Sequence, residues 1–167
     1  MTLIIRPAVA ADRDEIATML GEVVAYFESI AEGSFDERPT PEALWECSGL
    51  GFAADPVCAT LIPEIDGRIV GYLAYHFGVW EVFGALIVAG IYVRTQAQRQ
   101  GIGRALMEEA GELARKRGVT HIAWEVWRQN PRAIRFYESI GAKAHDDNLR
   151  MVVTVDRPGC ASRLSDT

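Results

Sequence analysis

Hydrophobic and polar positions fall into a strand period at some stretches of the chain and a helix period at others. Leu3 to Arg6 is a short apolar run that Pro7 ends, which predicts a strand. Ala11-Asp12 offers a helix N-cap, and Ile16, Leu20, Val23, Val24 and Phe27 follow at helical spacing. Gly33 to Pro39 reads as a loop. Thr40 then caps a second helix, with Pro41 at its first position. Val57 to Ile65 and Arg68 to Phe77 predict two strands joined by Asp66-Gly67, a strong hairpin signal. Phe83 to Arg94 is apolar on both faces and so predicts a central strand. A helix from Ala105 to Arg117 stops at Gly118, and a strand runs from Val119 to Trp127. Pro131 to Ile140 predicts the last helix, stopped by Gly141, and Arg150 to Val155 the last strand. The resulting order, β-α-α-β-β-β-α-β-α-β, implies a mixed α/β sheet with helices on both faces. The hairpin at Asp66-Gly67 forces an antiparallel pair, so a purely parallel doubly wound sheet is excluded.

At 167 residues the chain fits one domain with a sizeable core, expected over residues 1–157, with a small polar tail at 158–167 that frays. The apolar run from Ala85 to Val93 is too short to cross a bilayer as a helix, and no basic then apolar leader opens the chain. A net charge of −6 argues against a nucleic-acid partner, whose phosphates demand a basic face, and permits a cationic substrate. Cys47, Cys58 and Cys160 form neither a disulfide framework nor a metal-ligand spacing. The expectation is therefore a cytoplasmic protein without metal and without membrane attachment. Edge strands of this length need covering, which makes a homodimer an expectation too.

The segment Gln98-Arg99-Gln100-Gly101-Ile102-Gly103-Arg104 lies between the most apolar strand and a well-formed helix. Two glycines there let the backbone approach a ligand closely, and the helix start presents unpaired N–H groups with partial positive charge. Together they suit a phosphate or pyrophosphate, with Arg99 and Arg104 at the rim. The alternative is a glycine turn that simply starts a helix. A dinucleotide fingerprint needs a third glycine, and a Walker loop needs Gly-Lys-Ser/Thr. Neither is present.

Gln98-x-x-Gly101-x-Gly103 resembles the signature loop of the GNAT acetyltransferase superfamily. Ile91-Tyr92-Val93 matches the strand upstream of that loop. Asn130-Pro131-x-Ala133-x-x-Phe136-Tyr137-Glu138-x-x-Gly141-Ala142 resembles the family's later motif. Within the superfamily, Gly51-Phe52, Ile69-Val70-Gly71-Tyr72, Gly141-Ala142 and Leu149-Arg150-Met151 are most like the diamine and polyamine acetyltransferase branch. The resemblance implies a mostly antiparallel sheet whose two central parallel strands splay apart. It implies acetyl-CoA as donor, with its pyrophosphate on Arg99, Gln100, Gly101, Ile102, Gly103 and Arg104. Its pantetheine arm would lie along Ile91, Tyr92 and Val93, near Asn130 and Ala133. A backbone N–H near Tyr92 or Val93 would hold the oxyanion.

By the same resemblance Tyr137 is the proton donor to the departing thiolate. A thiol has a pKa of roughly 8.5, and a phenol can donate to its anion at neutral pH. The alternative reading of Tyr137 is half of an aromatic pair packing its helix, and Asn130 also reads as a helix cap. A primary ammonium holds on the order of one part in a thousand free amine at pH 7, so a base is needed. The polyamine branch commonly carries acidic residues before the Tyr-Val pair, where this chain has Ala89 and Gly90. Glu81 and Glu125 are substitutes, and Glu28, Glu32, Asp36 and Glu37 are a candidate cationic-substrate entrance. His76 reads as strand packing. Tyr75, Trp80, Phe83 and Trp127 read as one aromatic group around the splay. The implied reaction moves acetyl to the primary amine of a small molecule, such as a polyamine, diamine or amino acid derivative. The alternatives are a protein or peptide N-acetyltransferase and a non-catalytic CoA-binding module.

Overall fold

A computed structural model of the chain describes residues 2–31 and 38–145. The expected strand Arg150–Val155, the Leu149-Arg150-Met151 match, the tail, Cys160 and the carboxylates Glu32, Asp36 and Glu37 lie outside those residues.

Strand β1 (Leu3–Pro7) pairs antiparallel with β2 (Ala59–Ile65). Asp66 and Gly67 turn the chain with φ of 48° and 76°, the left-handed pair that a two-residue hairpin requires. The return strand expected from Arg68 is split into β3 (Arg68–Ile69) and β4 (Gly71–Trp80), both antiparallel to β2. β4 then pairs antiparallel with β5 (Phe83–Val93), and β5 pairs parallel with β6 (His121–Trp124). The sheet order is β1-β2-β4-β5-β6, so β5 is interior, as its two apolar faces require.

Helices cover both faces. α1 (Arg13–Ile30) buries Ile16 and Met19 against Ile62 and Tyr72. α3 (Ile102–Arg117) buries Ile102, Leu106 and Ala110 against Leu73, Leu86 and Val88 on the other face. The neighbours Tyr72 and Leu73 thus serve opposite layers, as strand alternation dictates. α2 (Pro41–Gly49) starts as expected, the Thr40 hydroxyl accepting from the Ala43 N–H at 3.2 Å. Asp12 makes no side-chain cap on α1. Its carboxylate takes the Val9 N–H and the Arg6 guanidinium instead, across a short 3-10 turn at Ala10–Asp12.

Two irregularities place the functional site. The β4–β5 register shifts between Ala74, opposite Gly90, and Tyr75, opposite Val88, so Ala89 is the extra residue of a bulge. The β5–β6 pairing runs only from Ala85/His121 to Val88/Trp124. The strand expected to reach Trp127 ends at Trp124, because the chain there turns away from β5 and Trp127 stacks on Phe27 of α1 at 4.6 Å. From Ala89 onward β5 has no β6 partner, and a gap opens between the two parallel strands. α4 (Pro131–Ser139) follows that turn.

Candidate active site

One wall of the gap is the end of β5. The Arg94 N–H donates to the Val70 carbonyl at 2.9 Å, toward β4. Strand alternation then directs the Tyr92 N–H to β4 and turns the polar groups of Ile91 and Val93 into the gap. The Val93 carbonyl is already taken there by the Gln98 Nε2 at 2.7 Å. The Tyr92 side chain projects toward α1, where its hydroxyl donates to Glu22 Oε2 at 3.0 Å. Arg94 donates to the same carboxylate at 2.9 Å and pairs with Glu15. Burial, with the hydrogen bond and negative charge of Glu22 added, pushes the Tyr92 phenol up to about 12. Sequence reasoning missed Glu22, which looks like one more polar position on α1 and is tied to the site by contacts spanning 70 residues or more.

The mouth of the gap is the start of α3. Arg99 and Gly101 hold left-handed φ of 63° and 81°, which swing the loop into the helix. The first N–H to bond back is that of Ala105, to the Gly101 carbonyl at 3.0 Å. The N–H groups of Ile102, Gly103 and Arg104 are thereby left without a helical acceptor. Their open amides and positive helix end fit a diphosphate such as that of acetyl-CoA. The two glycines serve different ends. Nothing lies within 4 Å of where a Gly101 Cβ would stand, whereas a Gly103 Cβ would meet Phe136 at 3.2 Å. Gly101 keeps the mouth open, and Gly103 seats α4. Arg104 turns to the Ser139 carbonyl at 3.2 Å, Gln100 to the Gln96 carbonyl at 3.2 Å, and Arg99 is exposed.

The far wall is α4 and the turn before it. Asn130 is only 7% exposed, and its Oδ1 accepts from the Ala133 N–H and the Tyr26 hydroxyl, each at 3.1 Å. It is a helix cap and a tie to α1 at once. Among the described residues its Nδ2 has no partner, which leaves a buried donor for a ligand. The Ala133 amide is occupied by that cap. Tyr137 lies in ring contact with Trp124 at 5.0 Å, where β6 ends, and with Phe136 at 5.2 Å. Burial pushes its phenol up to about 12, so it stays protonated through the neutral range. No described residue hydrogen-bonds its hydroxyl.

Several expected residues lie elsewhere. Glu81 sits at the tip of the β4–β5 hairpin with a φ of 54°. The tip is six or seven strand residues, about 20 Å, from the bulge. Glu125 is exposed just past β6. Glu28 pairs with Arg38 at 3.3 Å. His76 is exposed on β4 rather than packed into the sheet. The expected aromatic group is three separate contacts. Trp80 stacks with Phe83 at 6.3 Å around the hairpin tip, Tyr75 meets Phe77 at 5.9 Å, and Trp127 stacks on Phe27. Among the described residues no group of three or more His, Cys, Asp or Glu is placed to hold a metal, and no helix is long and apolar enough to cross a membrane.

A profile of the acetyltransferase (GNAT) family matches residues 22–142. Thialysine N-epsilon-acetyltransferase of Mus musculus is 29% identical over 149 residues, 83% of each chain. Streptothricin acetyltransferase of Streptomyces lavendulae is 36% identical over 76 residues, 46% of this chain and 39% of that one, so the alignment spans less than half of the relative. Among solved structures, a possible acetyltransferase from Clostridium difficile 630 superposes with a TM-score of 0.77 at 17% identity, covering 93% of this chain and all of that one, a likeness of fold.

Proposed function

Because the chain belongs to the acetyltransferase (GNAT) family, we propose that it moves an acetyl group from acetyl-CoA to a primary amine of a small molecule, by direct attack in a ternary complex. The observation that carries this is the gap beyond Val88, with three free helix-start N–H groups at its mouth and a protonated phenol at its far wall.

When bound, acetyl-CoA supplies an acetyl group activated as a thioester. Ile102, Gly103 and Arg104 offer backbone N–H groups to its diphosphate. Ile91 and Val93 offer main-chain groups to its amide-bearing arm, as an edge strand does to an added strand. The Asn130 Nδ2 offers one more donor to that arm. The Val93 N–H points into the gap and can hold a negative oxygen, whereas the Tyr92 N–H is spent on β4. Tyr137 holds its proton for the sulfur that leaves. The amine enters from the α1 side of the bulge. Glu22, fixed by Tyr92 and Arg94, gives that side the carboxylate that Ala89 and Gly90 do not supply. The same reading keeps one domain through residue 157 and a homodimer in a reducing cytoplasm, on the grounds of edge strands and cysteine usage.

Two features support a small acceptor. The mouse relative, aligned over 83% of both chains, is named for the epsilon-amine of thialysine. The net charge of −6 suits a cation. The test is one thiol-release assay with spermidine, putrescine, thialysine, lysine analogues and histone-like peptides. Turnover is expected with one or more of the small amines. Turnover with peptides alone would overturn the acceptor class, and absence of acetyl-CoA binding would overturn the whole reading.

A further inference from the structure

We propose that Tyr72 is a further acceptor-binding residue, its hydroxyl taking an N–H of the attacking amine in the space that Gly90 leaves open beside the bulge. This rests on the transfer proposed above, with the amine entering from the α1 side. Tyr72 of β4 and Tyr92 of β5 are cross-strand partners, and their ring centroids stand 6.4 Å apart on the α1 face. Strand alternation puts Gly90, two residues before Tyr92, on that face too. A Cβ built on Gly90 would lie 3.5 Å from both Cε2 and Oη of Tyr72. The phenol therefore reaches diagonally across the ladder and ends where position 90 has no side chain.

Tyr72 is only 5% exposed, yet among the described residues its hydroxyl has no hydrogen-bond partner. Tyr92 beside it has one in Glu22. A buried hydroxyl left unpartnered costs the fold free energy, and a phenylalanine ring would fill the same space without that cost. The oxygen is accounted for if a ligand atom pairs with it. Burial first, with Cys47 and Tyr92 nearby adding to it, pushes the phenol well above its usual range, so it is neutral. A neutral hydroxyl oxygen can accept an N–H and leave the nitrogen lone pair free for the thioester carbon. Glu22, held on the same face by Tyr92 and Arg94, supplies the negative charge. The acceptor side thus offers a hydroxyl and a carboxylate, with no carboxylate from Ala89 or Gly90.

The experiment compares the wild-type chain with Tyr72→Phe, which removes one oxygen and keeps the ring. Kinetics are run with acetyl-CoA against spermidine, putrescine, thialysine and lysine analogues, beside calorimetry with acetyl-CoA and thermal melting with and without each amine. Tyr72→Phe is expected to melt no lower than the wild type, because an unpartnered buried oxygen is gone. KM for the amine should rise about 10-fold, the upper end of what a neutral hydrogen bond contributes, while acetyl-CoA affinity holds. The melting shift that the amine gives the wild type should shrink in the variant. An unchanged amine KM in Tyr72→Phe overturns the proposal and leaves the transfer standing. A lower melting temperature overturns it as well, because the oxygen would then be paired within the fold. If the wild type binds acetyl-CoA but neither turns over any of these amines nor is stabilised by one, the acceptor class falls and the assignment of Tyr72 falls with it.

Discussion

Tyr137 joins a hydroxyl to a desolvated ring, and its chemistry follows from that. With its pKa pushed up to about 12, the phenol is a weaker acid than usual but remains in the donating form through the neutral range. Tyr137→Phe keeps the ring contacts with Trp124 and Phe136 and removes only the donor. Loss of a general acid slows turnover by about 10²–10⁴-fold, and that is the expected effect on kcat, with acetyl-CoA affinity nearly unchanged. The burial also fixes the pH profile. A plain phenol would give a basic limb near 10, whereas this one gives none from Tyr137 until about 12. A limb near 10 that vanishes in the Phe variant would show the hydroxyl to be solvated and the buried placement wrong. Near-normal turnover in the variant would make Tyr137 a packing residue.

Among the helices and strands, the device is a helix start aimed into a gap between strands. Gly101 stands at a φ of 81° with open space around it, so a Cβ there meets none of the described residues within 4 Å and points into the space a ligand would approach through. Gly101→Val pays the left-handed backbone cost of about 1–2 kcal/mol and also fills that space. It is expected to lower melting modestly and to abolish measurable acetyl-CoA binding in calorimetry. Undiminished binding would remove the cradle from the loop. Much of this element was legible in the sequence, because turns and caps are local. Asp66-Gly67, Thr40-Pro41, Gly101, Gly118 and Asn130-Pro131 all stand where their residue types demand. Features that depend on pairing across the chain were not legible. The bulge at Ala89 and the early end of β6 at Trp124 arise from register, which no local pattern states. Glu22 reaches the site only through partners on β5, and the aromatic residues scattered because strand tips and gap walls are separate places.

For the whole molecule, the question is what holds the amino-terminal third onto the sheet, since α1 forms one side of the gap. Two arginines contribute by ion pairing. Arg94 at the end of β5 binds Glu15 and Glu22 of α1, and Arg6 of β1 binds Asp12 beside α1 and Glu64 of β2. Asp12 is the most buried of these carboxylates, its side chain 8% exposed. Hydrogen bonds from Arg6 first, then from the Val9 N–H, hold its pKa below the usual value against the opposing effect of burial. A carboxylate depressed by folding stabilises the native state above its unfolded pKa, about 3.9, and that contribution is lost as pH falls through the lower folded value. Asp12→Asn keeps the size and removes the charge. The cost at neutral pH is expected at about 1.5–3 kcal/mol, the worth of a hydrogen bond to a charged group, or on the order of 3–12 °C in melting temperature. The gap between wild type and variant should narrow as pH drops below about 4, because the wild-type carboxylate is then being protonated too. Melting curves from roughly two units below the free carboxylate value to roughly three above it, about pH 2–7, decide it. A gap that stays constant down to the lowest pH would mean that the loss comes from the acceptor geometry that the Asn amide cannot reproduce and not from the charge of Asp12.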